Sequence, residues 1–109
     1  MDNIEISLDG EIVYLEGDAT KDATISNKGQ KLFEIISILD LLKKSELDFL
    51  NKKLVIDLSG IMKIDTIGLA VFMQWMRELN KLDINVDFIH INEKVNYACR
   101  LYGVSNIFA

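Results

Sequence analysis

Asp65, Thr66 and Gly68 stand together in "KIDTIGLAVFMQW", residues 63 to 75, at the mouth of a strongly apolar run. A carboxylate, a hydroxyl and a glycine at a helix start can cap the helix, serve as a switch, or face a partner. Capping accounts for Asp65, whose side chain accepts free amides and whose charge suits the positive end of the helix dipole. It accounts less well for Thr66, a β-branched residue in the first turn of a helix that already has its cap. Gly68 costs a helix about 1 kcal/mol relative to alanine, a cost best understood where a neighbouring strand or chain comes close.

Other residues of reactive type lack companions. His90 is the only histidine, and Cys99 is its only soft companion, so no metal-ligand set forms. The expected role of His90 is structural. Asp57 and Asp65 bracket "LSGIMKI", read as a loop that could bring the two carboxylates near each other. A carboxylate pair still needs a cleft and a substrate pocket before it becomes catalytic. There is no glycine-rich phosphate loop and no nucleophile elbow. Met62, Met73 and Met76 suit packing. The expectation is no catalytic residue, no metal, no cofactor and no enzyme.

The elements that position Thr66 follow from hydropathy. "NIEISLDGEIVYLEG" alternates apolar and polar residues and reads as a hairpin turning at Asp9 and Gly10. "DATKDATISNKG" reads as a polar loop that begins a helix near Thr24. "KLFEIISILDLLKK" carries Leu32, Ile35, Ile36, Leu39 and Leu42 at helical spacing. "KLVIDLS" suits a strand covered on both faces. A helix then runs from Thr66 to about Leu82. "INVDFIHI" is the next strand. "NEKVNYACRLYG" is a short helix with Asn92 as N-cap, Glu93 in the first turn and Gly103 at the end. "NIFA" reads as a last short strand. Strands and helices alternate after the hairpin, which gives an α/β fold, a small mixed sheet with helices packed on it.

On a helical wheel at about 100° per residue, Leu69, Val71, Phe72, Trp75, Met76, Leu79 and Leu82 share one wide face, the expected core face. Thr66, Gln74, Arg77, Glu78 and Lys81 lie opposite. Ile67, Ala70 and Met73 do not obey the division and fall on or beside the polar face. Single exposed apolar residues mean little. Three grouped around a helix start, one of them a pliable methionine, predict a contact surface. The expected partner-binding residues are Thr66, Ile67, Ala70 and Met73, with Arg77 at the rim.

Composition bounds the partner. The 109 residues fit one domain with one core. Half are hydrophobic and 27% are charged, the balance of a soluble globular chain. The net charge of −5 argues against nucleic acid and against a direct grip on anionic lipid. The basic pairs Lys43-Lys44 and Lys52-Lys53 are short and flanked by acids. The single cysteine excludes an internal disulfide and suits a reducing compartment. "MDNIEISLDG" lacks the basic-then-apolar order of a signal peptide. The expected location is the cytoplasm, with any membrane association made through a partner.

"LVIDLSGIMKIDTIGLAVF" resembles the signature of STAS domains, the family of anti-sigma factor antagonists and of domains attached to sulfate transporters. The resemblance covers nearly the whole chain as a single domain. It implies a small mixed sheet with helices packed on one side. In the antagonists the residue just before the motif glycine is the serine or threonine that a kinase phosphorylates. Here that position is Ile67, which has no hydroxyl. Thr66 stands one place earlier, beside the repelling charge of Asp65, so no phosphorylation is expected.

A second branch of the family, the MlaB-like STAS subunits of Mla phospholipid ABC transporters, carries a motif similar to "DTIGLA". Its closing segment is also similar to "NEKVNYACRLYGV". Ile67 departs from the small residue more usual there, and the acidic first half matches poorly. This resemblance implies a non-catalytic subunit peripheral to the inner membrane. It would bind and activate or stabilise the transporter's cytoplasmic, MlaF-like ATPase, in a complex with a permease, to maintain outer-membrane lipid asymmetry. It places Thr66 at the contact. A partner-switching regulator of the anti-sigma antagonist kind is the alternative.

Overall fold

The computed structural model describes residues 2–26, 29–34 and 53–104. Strands β1 (Asn3–Asp9) and β2 (Ile12–Ala19) pair antiparallel from Ile4↔Gly17 to Asp9↔Ile12. Their alternation buries Ile4, Val13 and Leu15 and leaves Glu5, Tyr14 and Glu16 outside. The two loop residues are Gly10 and Glu11, not Asp9 and Gly10. Gly10 has φ 62° and supplies the left-handed backbone at the first turn position.

The polar segment after the hairpin does not begin a helix near Thr24. It forms β3 (Thr24–Ile25), parallel to β1. The free edge of β1 captures it: Thr24 N donates to Asp2 O at 3.0 Å and Ser26 N to Ile4 O at 3.1 Å. Ile25 becomes fully buried. A 3₁₀ turn follows at Leu32–Glu34. The rest of the helix expected over 31–44, and the strand expected over 106–109, lie outside the described residues.

The longest strand, β4 (Lys53–Ile64), lies parallel to both β2 and β5 (Asn85–Ile89). It absorbs the whole of "LSGIMKI", so the expected loop is strand. The pairing with β2 survives two register shifts, and a side chain on Gly60 would come 2.7 Å from the Leu15 carbonyl oxygen. A residue without Cβ is what lets the irregular ladder close here. Pairing with β5 ends at Asp57↔Ile89, so among the described strands the second half of β4 pairs with β2 alone. Asp57 and Asp65 are therefore separated by seven residues of extended chain, roughly 20 Å or more at strand rise, and do not meet.

The sheet order is β3-β1-β2-β4-β5. Helices α1 (Thr66–Lys81) and α2 (Glu93–Leu101) pack on this mixed sheet. Phe72 of α1 lies 5.5 Å from the Trp75 ring and 6.3 Å from Phe88 of β5, centre to centre. Phe72 and Trp75 are fully buried, and each such side chain stabilises the fold by about 2–3 kcal/mol. Leu69, Val71 and Leu79 complete the buried face of α1. Met76 is only half-buried, and Leu82, past the last turn, is exposed. Helix α2 buries Val95, Ala98 and Cys99.

Candidate functional site

Helix α1 starts at the end of β4, and Asp65 fixes it there. Its Oδ1 accepts the Gly68 amide at 2.9 Å, the N-cap bond, while its Oδ2 accepts the Lys21 amide at 2.8 Å. The Asp65 amide donates to Ala19 O at 3.2 Å. One residue thus ties β4, α1 and the loop after β2 into a single corner. Gly68 is buried in that corner, and a Cβ there would fall on the Ala19 carbonyl oxygen. The neighbour that its presence in a helix calls for is the end of β2.

Thr66 occupies the first turn of α1 and is exposed. Ala70 and Arg77 are exposed, and Ile67 and Met73 are half-buried. Residues 66, 70, 73 and 77 follow the i, i+4, i+7, i+11 spacing of one helix stripe, and Ile67 flanks it. Arg77 donates to Gln74 Oε1 at 3.1 and 3.4 Å, which holds it along the helix surface. The site is a ridge carrying one hydroxyl, an apolar strip and a cation at its far end. Such a ridge can dock against a complementary surface.

A second cluster lies where the β4–β5 pairing stops, at its carboxyl end. His90, just past β5, has φ 53° and a side chain 67% exposed. Its Nδ1 lies 2.9 Å from Oδ2 of Asp57, a residue only 5% exposed. Ser59 N donates to Asp57 Oδ1 at 2.8 Å. Burial pushes the Asp57 carboxyl up, but the bonds from His90 and Ser59 together outweigh it and hold the group below its ordinary value. Ser59 bonds the carboxylate and not the outer nitrogen of His90, so the order of a hydrolase triad is absent among these residues.

Asn92 completes this end of the molecule. Its Oδ1 accepts the Val95 amide at 3.0 Å and caps α2. Its Nδ2 points to the carbonyls of Leu58, Ser59 and Ile61, the last at 2.8 Å. Burial raises the Cys99 thiol above its ordinary value. Among the described residues no group of three or more His, Cys, Asp or Glu side chains is placed to hold a metal.

Sequence reasoning missed a groove between α2 and the tail of β4. Met62, Tyr97, Leu101 and Tyr102 line it, with Lys63, Lys94 and Arg100. The signal was present: Tyr97 and Leu101 are apolar and one turn apart, off the face that Val95 and Cys99 bury. No helix of the described residues is long and apolar enough to cross a membrane.

A search of curated proteins returns no match to the chain. The family model of the STAS domain, in contrast, matches residues 3–109. That span takes in the hairpin, the Asp65 corner and the Asn92 cap alike, and it agrees with a mixed sheet bearing helices. The chain belongs to the STAS domain family, which suggests a non-catalytic regulatory or transport-associated role.

Proposed function

We propose that this chain is the STAS subunit of a Mla-type phospholipid ABC transporter, and that it binds and stabilises the transporter's cytoplasmic ATPase. The observation that carries the reading is the α1 stripe: Ile67, Ala70 and Met73 beside an exposed Thr66 at a rigidly held helix start. The likeness of "DTIGLA" and "NEKVNYACRLYGV" to the MlaB-like branch supports the choice of partner. In this reading the protein works at the inner membrane's cytoplasmic face, through the complex, without inserting into lipid.

The test is co-purification with the ATPase. Interface energy concentrates at the centre and little of it lies at the rim. Thr66→Glu places an unpaired charge beside Asp65 in the contact and should weaken the complex more than tenfold. Lys81→Glu, about four turns further along α1, should change it less than twofold. Circular dichroism of each variant alone checks that both fold. Equal binding by Thr66→Glu, with loss by Lys81→Glu, would displace the contact from the stripe.

The antagonist reading rests on the exposure of the Thr66 hydroxyl. Intact mass after incubation with an anti-sigma-type serine kinase decides it. No added phosphate is expected, and stoichiometric phosphate on Thr66 would favour partner switching.

A further inference from the structure

The groove between α2 and the tail of β4 is chemically unlike the rest of the described surface. Met62 is 57% exposed, Tyr97 60%, Leu101 61% and Tyr102 43%, half of the large apolar side chains on the described surface that are this open. The others, Leu8, Tyr14, Phe33 and Leu82, do not line it. A monomeric surface rarely gathers exposed apolar groups in this way without an occupant. The cavity holds about 480 Å³, room for a few side chains of a partner. Tyrosine and arginine beside it are residue types that often carry binding energy at interface centres.

Charge decides the kind of occupant. The chain as a whole carries −5. The groove reverses that sign, with Lys63, Lys94 and Arg100 against a single acid, Glu93. Glu93 lies 4.0 Å from Arg100 with both side chains largely exposed, and a pair of that kind is worth little. Three cations around an apolar trough on an acidic protein complement an acidic segment with apolar anchors. The same cations attract a wrong, basic partner far less than the rest of the surface does.

We infer that the α2–β4 groove is a docking site for an acidic peptide segment of a partner protein, with aliphatic or aromatic anchors that seat against Met62, Tyr97 and Leu101. The site is separate from the α1 stripe and does not depend on the ATPase reading. The segment meets α2 along its outward Lys94–Tyr97–Leu101 row, while Val95 and Cys99 keep the helix on the sheet. Apolar anchors supply the affinity, and the cationic rim sets polarity and register.

Selection of a displayed random 12-residue peptide library on the immobilised full-length protein tests this. Enriched sequences should pair Asp or Glu with Leu, Ile, Phe or Trp. A selected peptide, labelled and titrated by anisotropy, should lose at least tenfold in affinity with Leu101→Asp and with Lys94→Glu/Arg100→Glu. Its binding should weaken as salt rises and stay unchanged with Thr66→Glu. All substituted positions are exposed, and circular dichroism confirms folding. No enrichment, an enriched pool without acidic bias, or affinity indifferent to the groove variants would overturn the proposal. Self-association in sedimentation that Leu101→Asp abolishes would give the groove to a second copy instead. Binding to anionic vesicles that Lys94→Glu/Arg100→Glu abolishes would give it to a membrane.

Discussion

The two helices of the described residues begin alike and are held differently. Both start with a capping residue, Asp65 for α1 and Asn92 for α2, and each cap also reaches outside its helix. Around Asp65 the groups to be satisfied are donors, the amides of Gly68 and Lys21. A carboxylate, which only accepts, answers them. Around Asn92 one amide donates and several carbonyls need a hydrogen-bond donor. Only a side chain with both an oxygen and an NH₂ does that. The choice between two residues of nearly equal capping power is thus made by what lies opposite, not by the helix.

Adding one carbon to the better-fixed corner should break the comparison most severely. Gly68→Ala gains about 1 kcal/mol of helix propensity. It also drives a methyl into the Ala19 carbonyl, a backbone atom that cannot rotate away. The net expectation is a loss of about 2–3 kcal/mol, read as a lower urea midpoint. A variant as stable as the parent would mean that the corner yields and does not fix α1.

Exchanging the caps sharpens it. Asn92→Asp turns a donor into a carboxylate facing carbonyl oxygens and should cost about 2 kcal/mol. Asp65→Asn keeps one acceptor, can still rotate its oxygen toward Gly68, and should cost about 1 kcal/mol. Thermal unfolding of both variants measures the asymmetry. Equal losses would say that capping alone matters and that the outer contacts contribute nothing.

The smallest effect concerns Asp57. Its folded value lies below the ordinary carboxylate value, so the unfolded chain binds more protons in the interval between the two. The stability Asp57 contributes is complete above its unfolded value, roughly pH 4, and disappears as pH falls through the folded one. His90→Asn keeps a residue tolerant of the left-handed backbone but removes the ring nitrogen that bonds Oδ2 of Asp57. The acid midpoint of unfolding should move up by less than one pH unit, with the loss of stability fullest at neutral pH and vanishing below the folded value of Asp57. A downward shift would contradict the sign.

Both caps were legible in the sequence, because Asp and Asn stood immediately before runs of helical period. Their outer partners were not, since Lys21 and Ile61 are distant in sequence and become neighbours only through the sheet. The core face of α1 was legible through Leu79. Leu82 was misread because the wheel continues past the point where the helix stops. The second half of β4 was hidden by Ser59, Gly60 and Lys63, which look like a loop when local preference is the only guide. An irregular ladder with β2 overrides that preference. The groove on α2 was missed because helical spacing invites a single apolar face, and this helix has a second one.

The strand order carries a consequence for the newborn chain. β2 finds β1 almost at once, through a two-residue turn. Its other edge must wait for β4, roughly 40 residues later, since Ile12 pairs with Val55. At the usual pace of synthesis, about 5–20 residues per second, that edge stays open on the ribosome for roughly 2–8 s. Non-local pairing of this kind also sets the slow step of folding. Glu16 and Asp18 lie along the waiting strand, and charges on an open edge discourage a neighbouring nascent chain from adding itself there.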